Sequence, residues 1–472
     1  MVELKKIDNL TWKIEKTEKM NVPVAVFASE KLLEKIKQDD TIKQAMNMAS
    51  LPGVLKNVVV CPDAHQGYGA CIGGVCAFDV EKGVISPGEI GFDINCSVRL
   101  LKTNLTRKDF EGREKEIVHS LFRSVPSGVG RGGKIKLDNK KIDEVLIGGA
   151  EWVVNQGYGT KEDLLHIEEN GKMKGADPKN VSQRAKGRGM NQLGSLGAGN
   201  HFLDVLEVSE VFNKEVASVF GLSEGQVVIM IHCGSRGLGH QVASDYIKLM
   251  EKEYGTKNLP DRDLINAPIK SELGKKYYSA MAAAANFAFA NKQLITHWVR
   301  EDLKHYFLDL KAEVVYDICH NIAKFEKHNV EGEDKDVLVM RKGATRSFGS
   351  GREEVSEDYR EVGQPVLIPG SMGTSSYVLV GTKKAEELTF GSTAHGAGRV
   401  KSRVQAKKDL TFEEAKKDME RRGVFVEFGL NKGMVEESPY SYKDIDEVVN
   451  VSDELGIGKK VVKLKPFLVV IG

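Results

Sequence analysis

The spacing of apolar residues along the chain predicts a mixture of helices and strands. Segments 29–38 and 40–50 place apolar residues at helical intervals, and Ser29 and Asp40 stand where N-cap residues would begin the two helices. Segment 273–304 contains the run AMAAAANFAFA and predicts the longest helix, because alanine has the best helix propensity.

Short apolar runs bounded by turn residues indicate strands. The run that begins at Leu55 is expected to end in a turn at Pro62 and Asp63. Further runs predict strands at 97–105, 227–235, 313–318, 336–343, 365–370 and 376–381. No Pro-, Ser- or Gln-rich linker interrupts these segments, so we predict one large mixed α/β domain over residues 1–472.

Four loops near these strands begin Gly-Ser, and the one at 391–399 has a histidine in its middle. The stretch 391–399 reads GSTAHGAGR, which favours neither a helix nor a strand because glycine destabilises both. One interpretation is an ordinary turn in which His395 is incidental. The other is a loop whose backbone N–H groups hold a phosphate while His395 reacts with it. Both interpretations stay open on this stretch alone.

Balanced charge limits how the protein could bind a nucleic acid. The 68 Lys and Arg residues nearly equal the 67 Asp and Glu residues, so any RNA would be held by local basic patches instead of a global field. Arginine or lysine stands beside glycine in four such patches, at 128–134, 184–189, 340–352 and 398–403. There the glycines would let the backbone approach a phosphate that the basic side chains bind.

The remaining composition predicts a cytoplasmic protein without a membrane partner. The N-terminus is charged throughout and lacks the apolar segment of a signal peptide, and no run approaches the roughly 18 apolar residues of a membrane span. The six cysteines are scattered and show no CxxC spacing, which favours a reducing compartment.

Metal-ligating residue types occur where apolar runs meet loops. Asp93 and Cys96 stand three apart in GFDINCSVR, and His201, His232 and His320 each adjoin an apolar run. Imidazole, thiolate and carboxylate together suit Zn, Mn, Co or Fe better than Ca or Mg alone. Single histidines are more often satisfied polar groups than ligands, and this alternative stays open. The carboxylate and the thiol could hold one ion or bridge two.

Nucleotide-binding signatures of the common kinds are absent from the sequence. There is no Walker A motif and no GxGxxG that follows a strand and opens a helix, and GLGHQ at 237–241 lacks that context. A nucleotide, if bound, is therefore held by another kind of site.

Ten motifs, in order along nearly the whole chain, resemble the RtcB RNA ligase family. They are PDAHQGYG (62–69), GFDINCSVR (91–99), GAGNHFLDV (197–205), HCGSRGLGH (232–240), AMAAAANFAFANKQ (280–293), YDICHNIAK (316–324), RKGATRSF (341–348), PGSMGTSSYVL (369–379), GSTAHGAGR (391–399) and SYKDIDEVV (441–449). The resemblance implies a compact mixed α/β fold with metals in a deep cleft, in agreement with the single domain expected above.

The resemblance also implies an activity and its cofactors. Members of the family join an RNA 3′-phosphate or 2′,3′-cyclic phosphate to a 5′-hydroxyl, using GTP and Mn²⁺, in tRNA splicing and RNA repair. The implied partners are RNA ends and GTP, and an archease-type activator is a further candidate. By resemblance, two Mn²⁺ ions would be bound by Asp93, Cys96, His201, His232 and His320, with Cys96 bridging the ions.

The same resemblance assigns the reactive residue and the nucleotide contacts. His395 looks like the nucleophile that attacks the GTP α-phosphate and becomes a guanylyl-histidine. Asp63 and Arg236 look like site residues without a settled role. GTP contacts are implied for Asn200, His201, Phe202, Leu203, Asp204, His320, Asn321, Pro369, Gly370, Ser371, Met372, Ser376, His395, Gly396, Ala397 and Gly398.

Four positions depart from the family pattern. Asp204 stands where a glutamate that contacts guanine is usual, Met340 where a histidine is usual, and Ala394 where a cysteine is frequent. Ile471 occupies the place of a lysine that would help to bind the nucleotide. The implied catalytic set is therefore intact, whereas the implied base-recognition set is not.

Other functions remain compatible with these residues. One is a paralogue that guanylylates or processes RNA 3′-phosphate ends without efficient ligation, and another is a metal-dependent phosphoesterase. A third is an RNA-binding subunit without catalysis, which is disfavoured because a pure binder has no use for His395 and five metal-ligating residues.

Overall fold

The computed structural model describes residues 3–128, 132–429 and 431–472, in which helices and strands are interspersed. The strands are β1 Lys5–Lys6, β2 Thr11–Ile14, β3 Val24–Phe27, β4 Val58–His65, β5 Ile72–Asp79, β6 Val84–Ile85, β7 Ser97–Thr106, β8 Phe202–Val211, β9 Gln226–Cys233, β10 Ala267–Pro268, β11 Ala312–Cys319, β12 Asn321–Val330, β13 Glu333–Lys342, β14 Ala344–Arg346, β15 Pro365–Ile368, β16 Ser376–Val380, β17 Ser392–Ala394, β18 Phe425–Phe428 and β19 Lys459–Ile471.

The helices are of very different lengths. They are α1 Glu30–Ile36, α2 Thr41–Met48, α3 Pro87–Ile90, α4 Glu114–Ser124, α5 Asn139–Asn155, α6 Lys161–Leu165, α7 Gln183–Gly189, α8 Lys214–Phe220, α9 Arg236–Tyr254, α10 Glu272–Lys304, α11 Lys383–Thr389, α12 Arg403–Asp409, α13 Phe412–Arg422, α14 Asn431–Glu436 and α15 Ile445–Leu455. Within the described ranges, no helix combines the length and the apolar character that crossing a membrane requires.

Two large sheets organise these elements into a mixed α/β fold, as the sequence predicted. One sheet has the order β1-β2-β3-β4-β5-β13-β12, and the other has the order β11-β7-β9-β8-β19-β16-β15. β18 pairs in parallel with β19, and β6 with β10 and β14 with β17 form two small antiparallel ladders. The extent of a single domain over residues 1–472 stays a prediction.

The second sheet is buried on both faces at its central strand β9, which explains why that strand is apolar almost without alternation. In β9, Val228 and Met230 pack in the core on one face, whereas Val227, Ile229 and Ile231 pack on the other. A strand covered on both sides has no polar face. The sequence therefore identified such apolar runs as strands, but it did not show that they are buried on both faces.

Helix α10 is the longest helix, as predicted, and most of its length is buried. Asn291 lies within it at no exposure, and its side chain bonds the backbone of the 194–195 turn. Its Oδ1 accepts the N–H groups of Gly194 and Ser195 at 2.8 and 3.1 Å, and its Nδ2 donates to the Ser195 carbonyl at 3.1 Å. This contact fixes the loop that leads into His201.

The structure corrects the expected cap of the second helix. Asp40 precedes α2, but its side chain makes no capping hydrogen bond, and its backbone is not extended. Asp39 accepts instead from the Thr41 backbone N–H at 2.9 Å. The carboxylate one residue earlier therefore satisfies the first free N–H of the helix.

Two further expectations fail in detail. Pro62 and Asp63 lie inside strand β4 and not in a turn, because the pairing with β5 is interrupted between Val60 and His65 and no ladder N–H is needed there. The glycine-rich stretch 391–399 contains a short strand, Ser392–Ala394, which pairs with Ala344–Arg346. The predicted basic patch at 128–134 has its centre, residues 129–131, outside the described residues.

Strand register brings several polar residues to one edge of the second sheet. His232 in β9 is paired with Phe202 of β8 on one side and Val98 of β7 on the other, and Cys319 is paired with Ser97. The residues adjoining these positions, Cys96, His201 and His320, therefore reach the same edge as His232.

The buried Asn291 contact generates a prediction about stability. Asn291→Ala removes the acceptor of two buried backbone N–H groups and should lower the free energy of unfolding by about 2–4 kcal/mol, measured by urea denaturation. The matched control is Asn450→Ala, an exposed asparagine in helix α15, which should change it by less than about 0.5 kcal/mol. Equal effects of the two substitutions would contradict this role.

Candidate active site

A cluster of metal-ligating atoms lies at the edge where β7, β8, β9 and β11 meet. Asp93, Cys96 and His201 form one group and Cys96, His232 and His320 form another, with the donor atoms of each group within 4.8 Å of one another. The Sγ of Cys96 lies 3.4 Å from His201 Nε2 and 3.2 Å from His232 Nε2. The five residues singled out from the sequence therefore converge, and Cys96 is common to both groups.

The turn that carries Asp93 and Cys96 is held in an unusual conformation. Between them, Asn95 has a φ of 52°, a left-handed conformation that asparagine tolerates better than most residues. Its side chain donates to the Ala285 carbonyl of α10 at 2.8 Å, and its N–H donates to the Asn321 carbonyl at 2.7 Å. The turn is thus fixed from two sides, which places both ligand side chains in the cluster.

Close packing against this turn requires a glycine. A Cβ on Gly234 would lie 2.4 Å from Asp93 Oδ1, so any larger residue would displace the carboxylate. The glycine of the HCGSRGLGH motif therefore makes room for a ligand and is not merely a flexible hinge.

Burial sets the protonation of the cluster. Burial, followed by the neighbouring Asp93, raises the pKa of the Cys96 thiol well above its ordinary value. Burial lowers the pKa of His232 and of His320, so both imidazoles are neutral at pH 7. Neutral imidazoles are the form that binds metals, and a cation would favour the thiolate of Cys96.

His395 lies beside this cluster and is paired with Asp63. Its Nδ1 lies 2.6 Å from Asp63 Oδ2, which also accepts the backbone N–H of His395 at 3.1 Å and of Gly396 at 3.3 Å. Burial alone would raise the pKa of the Asp63 carboxyl, but His395 and Lys443 hold it below its ordinary value. An ionised carboxylate only accepts, so Nδ1 is the nitrogen that donates to Asp63, and in the neutral ring Nε2 is the nitrogen that carries the lone pair.

The ring of His395 also contacts the metal-ligating cluster. Its centroid lies 4.9 Å from that of His320. Gly398, with a φ of 70°, closes the loop against the Asp63 backbone, where a Cβ would lie 2.0 Å from the Asp63 carbonyl oxygen. This close approach places the histidine, the carboxylate and the metal-ligating residues in one site.

Both parts of the site open into one large cavity of about 1170 Å³. Ten of the sixteen residues implied as nucleotide contacts line it: Asn200, His201, His320, Asn321, Pro369, Gly370, His395, Gly396, Ala397 and Gly398. The metal-ligating residues Asp93, Cys96 and His232 line it as well, together with Arg236. The sequence-predicted residues therefore face a common space large enough for a nucleotide and part of a second substrate.

A small second cavity adjoins the first and contains Asp204 and Ile471, two of the four positions at which the sequence indicated a departure from the family pattern. It shares Asn200, His201, Gly370 and Tyr442 with the large cavity and is otherwise lined by Gly199, Phe202, Asp204, Ser371, Met372, Glu437, Val469 and Ile471. Asp204 is paired across the strands with Val469, so Ile471 is its diagonal neighbour on the same face. Burial raises the pKa of Asp204 well above its ordinary value.

Two of the implied nucleotide contacts line neither cavity with their side chains. Leu203 packs in the core on the far face of β8, so only its backbone could face a ligand. Ser376 is buried, and its Oγ accepts the Gly370 N–H at 3.0 Å. The serine therefore fixes the 369–372 loop. Met340 and Ala394 pack in the largest core cluster.

Comparisons with known proteins assign the chain to a family. A family model described as tRNA-splicing ligase RtcB matches residues 44–472. Proteins named tRNA-splicing ligase RtcB from Thermococcus kodakarensis and Nanoarchaeum equitans are 53% and 50% identical over 474 and 476 residues. The matches cover 99% of this chain and 98% of the first relative, and 100% of both chains for the second. The chain belongs to the RtcB family.

Sequence reasoning missed two histidines of this RtcB cleft. His65 and His240 both line the large cavity, although neither was a candidate from the sequence. Burial and the nearby Lys443 lower the pKa of His65 to about 4, and burial and Arg188 lower the pKa of His240. Their membership in the RtcB-like motifs PDAHQGYG and HCGSRGLGH was the signal that could have identified them.

The shared position of Cys96 generates a prediction about metal binding. Cys96→Ser should lower the metal affinity of both sites together, because one thiolate serves both groups. The loss should be at least roughly 10- to 100-fold, which is the effect of removing a residue that only hydrogen-bonds to a metal ligand. The measurement is equilibrium dialysis with Mn²⁺ as the probe ion, followed by elemental analysis of the bound metal.

The matched control for this prediction is Cys233→Ser. Cys233 is also buried, but it contacts the Ser195 carbonyl and Asn291 and belongs to neither group of ligands. Its substitution should leave Mn²⁺ binding nearly unchanged. Two ions retained at unaltered affinity by Cys96→Ser would contradict the bridging role.

Proposed function

We propose that this protein is a GTP- and Mn²⁺-dependent RNA ligase that joins a 3′-phosphate or 2′,3′-cyclic phosphate end to a 5′-hydroxyl end. The observation that carries the proposal is the placement of the Asp63–His395 pair beside two groups of metal-ligating residues that share a cysteine. A nucleophile, its orienting carboxylate and a dinuclear metal site are the parts that such phosphoryl chemistry needs.

The ligand set suits manganese. Asp93, Cys96 and His201 would hold one ion, and Cys96, His232 and His320 would hold the other. Carboxylate and imidazole are ordinary ligands for Mn²⁺, and the thiolate makes the site softer than one for Mg²⁺. Bound Mn²⁺ would polarise phosphate oxygens and neutralise charge that develops on them.

In the first proposed step, His395 Nε2 attacks the α-phosphorus of GTP. A P–N bond forms, the bond to the β-phosphate oxygen breaks, and pyrophosphate leaves. Asp63 holds the Nδ1 proton throughout and stabilises the imidazole as it becomes positively charged. The carboxylate therefore orients the ring and keeps Nε2 unprotonated and nucleophilic.

In the later steps, the guanylyl group passes from the protein to RNA. A 3′-phosphate oxygen attacks the guanylyl phosphorus, the P–N bond breaks, and an RNA end carrying a diphosphate-linked guanosine forms. The 5′-hydroxyl oxygen then attacks the RNA 3′-phosphorus, GMP leaves, and the hydroxyl proton is lost to solvent. A cyclic end must first be opened by water to a 3′-phosphate.

GTP would lie between the two cavities, with its phosphates near His395 and its base in the small cavity. Support comes from Asn200 and Gly370, which line both cavities, and from Asp204, an acceptor for a base. An apo pocket this small has to widen when the base enters. The physiological setting of tRNA splicing or RNA repair, a cytoplasmic location and an archease-type activator stay predictions from the resemblance.

His395 generates the central prediction. His395→Ala should abolish covalent transfer of label from [α-³²P]GTP, because no other group supplies the nucleophilic nitrogen. The variant should still seal a synthetic RNA end that already carries the guanosine diphosphate linkage, since only the first step needs the histidine. Autoradiography of denatured protein and gel analysis of RNA products measure the two reactions.

A carboxylate variant makes this test sharper. Asp63→Asn keeps the shape of the side chain but lets Nε2 of His395 carry the proton. Labelling should slow by about two to four orders of magnitude, as it does when the aspartate of a Ser-His-Asp triad is replaced by asparagine. Sealing of the preformed end should again be less affected than labelling. Undiminished labelling of His395→Ala would remove the basis of the proposal.

Asp204 and Ile471 generate a prediction about nucleotide choice. Loss of one hydrogen bond between the base and a charged group would reduce the preference for GTP over other nucleotides roughly 10- to 100-fold. We expect GTP to be preferred, but less strongly than in relatives with a lysine at the position of Ile471. Ile471→Lys should sharpen the preference, because the new ammonium would enter the cavity that contains Asp204.

The measurement compares label transfer from the four nucleotides, each labelled at the α-phosphate, by the natural protein and by Ile471→Lys. Ile471→Met is the matched control, since it changes shape without adding a donor. Strong GTP exclusivity in the natural protein would show that base recognition depends on other groups.

A further inference from the structure

Three aromatic rings from separate segments meet at the large cavity, and none of them takes part in the steps proposed above. Tyr68 lies between β4 and β5, Phe92 precedes β7, and His240 lies near the beginning of α9. The ring of Phe92 is stacked on that of His240 with centroids 4.8 Å apart and planes inclined by 26°, and the edge contact between Tyr68 and Phe92 is 5.2 Å. We name these residues the aromatic row.

The aromatic row is unusually open to solvent. Tyr68 is 47% exposed, His240 is exposed, and Phe92 between them is half-buried. Single exposed aromatic residues are common on protein surfaces, but contacting rings at the wall of a cavity indicate a binding surface. Since three distant segments supply them, the arrangement follows from the fold and not from a local run of aromatic residues.

Positive charge lies next to the aromatic row. Arg188 and Arg236 line the same cavity, and within the described part of the chain neither has a carboxylate within 4 Å. Arg188 donates to Gln241, the residue after His240, at 3.1 Å. Arg236 donates to the Gly128 carbonyl at 3.2 Å and to Ser195 Oγ at 3.3 Å. Their charge is therefore available to an anionic ligand.

The aromatic row is separate from the small cavity. Tyr68, Phe92 and His240 line the large cavity alone, whereas Asp204 and Ile471 line the small one. Phe92 immediately precedes Asp93, so the row lies directly beside the metal-ligating cluster. A ligand on the row would thus approach the site of chemistry from a side that the base of GTP does not occupy.

We propose that the aromatic row stacks an unpaired nucleobase of RNA at or next to the end to be joined, while Arg188 and Arg236 bind the adjoining phosphates. Aromatic rings beside guanidinium groups are how proteins bind single-stranded nucleic acids, because every base has a face that can stack. This inference rests on the proposed function, and it predicts that the stacked base must be free of a complementary strand.

The experiment is a coupling measurement between the protein and its RNA. Binding of a fluorescent single-stranded RNA to the full chain is measured by anisotropy, with an abasic nucleotide placed in turn at each of the last three positions of a 3′-phosphate strand and the first three of a 5′-hydroxyl strand. Tyr68→Leu, which removes the ring but stays apolar, is compared with the natural protein on every RNA.

We expect Tyr68→Leu to raise the Kd for intact RNA by about 5- to 150-fold, the range of one stacked base. At one position, the abasic RNA should bind the natural protein as weakly as intact RNA binds Tyr68→Leu. Tyr68→Leu should bind that abasic RNA no more weakly still. That position identifies which strand the row holds. Tyr68→Phe should retain affinity, because the ring is what binds.

Two controls make the result decisive. Tyr254→Leu removes an aromatic residue of similar exposure, 42%, on α9 away from both cavities, and should leave RNA affinity unchanged. Labelling of the natural protein by GTP tests the proposed function separately, since it needs no RNA. Additive losses at all six positions, or unaltered affinity of Tyr68→Leu, would overturn the stacking role even where labelling succeeds.

Discussion

The site depends on one electrostatic constraint: a thiol, a carboxylate and three imidazoles lie together around Cys96, with Cys96, His232 and His320 buried and Asp93 and His201 half-buried. Burial disfavours a thiolate, and it holds the imidazoles of His232 and His320 neutral. Burial would also raise the pKa of the Asp93 carboxyl, but His201 holds that pKa below its ordinary value, so the cluster contains one carboxylate. The thiol has to lose its proton when it binds a metal ion. The affinity for metal therefore rises with pH. The fold therefore holds the ligand residues together before a metal cation binds, and the cation would balance the charge of the deprotonated ligands.

A buried ion pair helps to fix the loop that carries His395. Arg341 of β13 forms two hydrogen bonds with Glu326 and also donates to Ser392 Oγ at 2.8 Å and to the Phe390 carbonyl at 2.9 Å. One guanidinium thus links β12 to the short strand that precedes His395. Because the pair is buried, loss of Glu326 would leave the guanidinium charge without compensation. This network, together with the contacts of the loop with Asp63, holds the small residues around His395 in place.

The sequence predicted which residues belong to the site better than it predicted which of them contact one another. Asp93, Cys96 and the three histidines were recognisable because ligand residue types adjoined apolar runs, and those runs became strands whose register aligned them. The pairing of Asp63 with His395 was not readable, because the two residues are 332 positions apart and no local pattern marks such a contact. The turn expected at Pro62 failed for the same reason: a proline signals a break only where the ladder needs its N–H, and β4 does not need it there. His240 was missed because its role depends on two rings from other segments.

Under the proposed function, the separation of the two cavities keeps the residues expected to contact the base apart from those expected to carry the chemistry. Asp204 and Ile471 belong to the β8–β19 pair, whereas Asp63, Cys96 and His395 come from other elements, and the shared wall consists of Asn200, His201, Gly370 and Tyr442. A substitution on β19 can therefore alter which base is bound without moving the nucleophile. Of the metal-ligating residues, His201 alone lines both cavities, and it directly precedes Phe202, which is paired with Ile471. Coupling between base choice and metal geometry therefore has two direct routes: through His201 itself, and through Phe202, whose ring centroid lies 5.2 Å from that of His232.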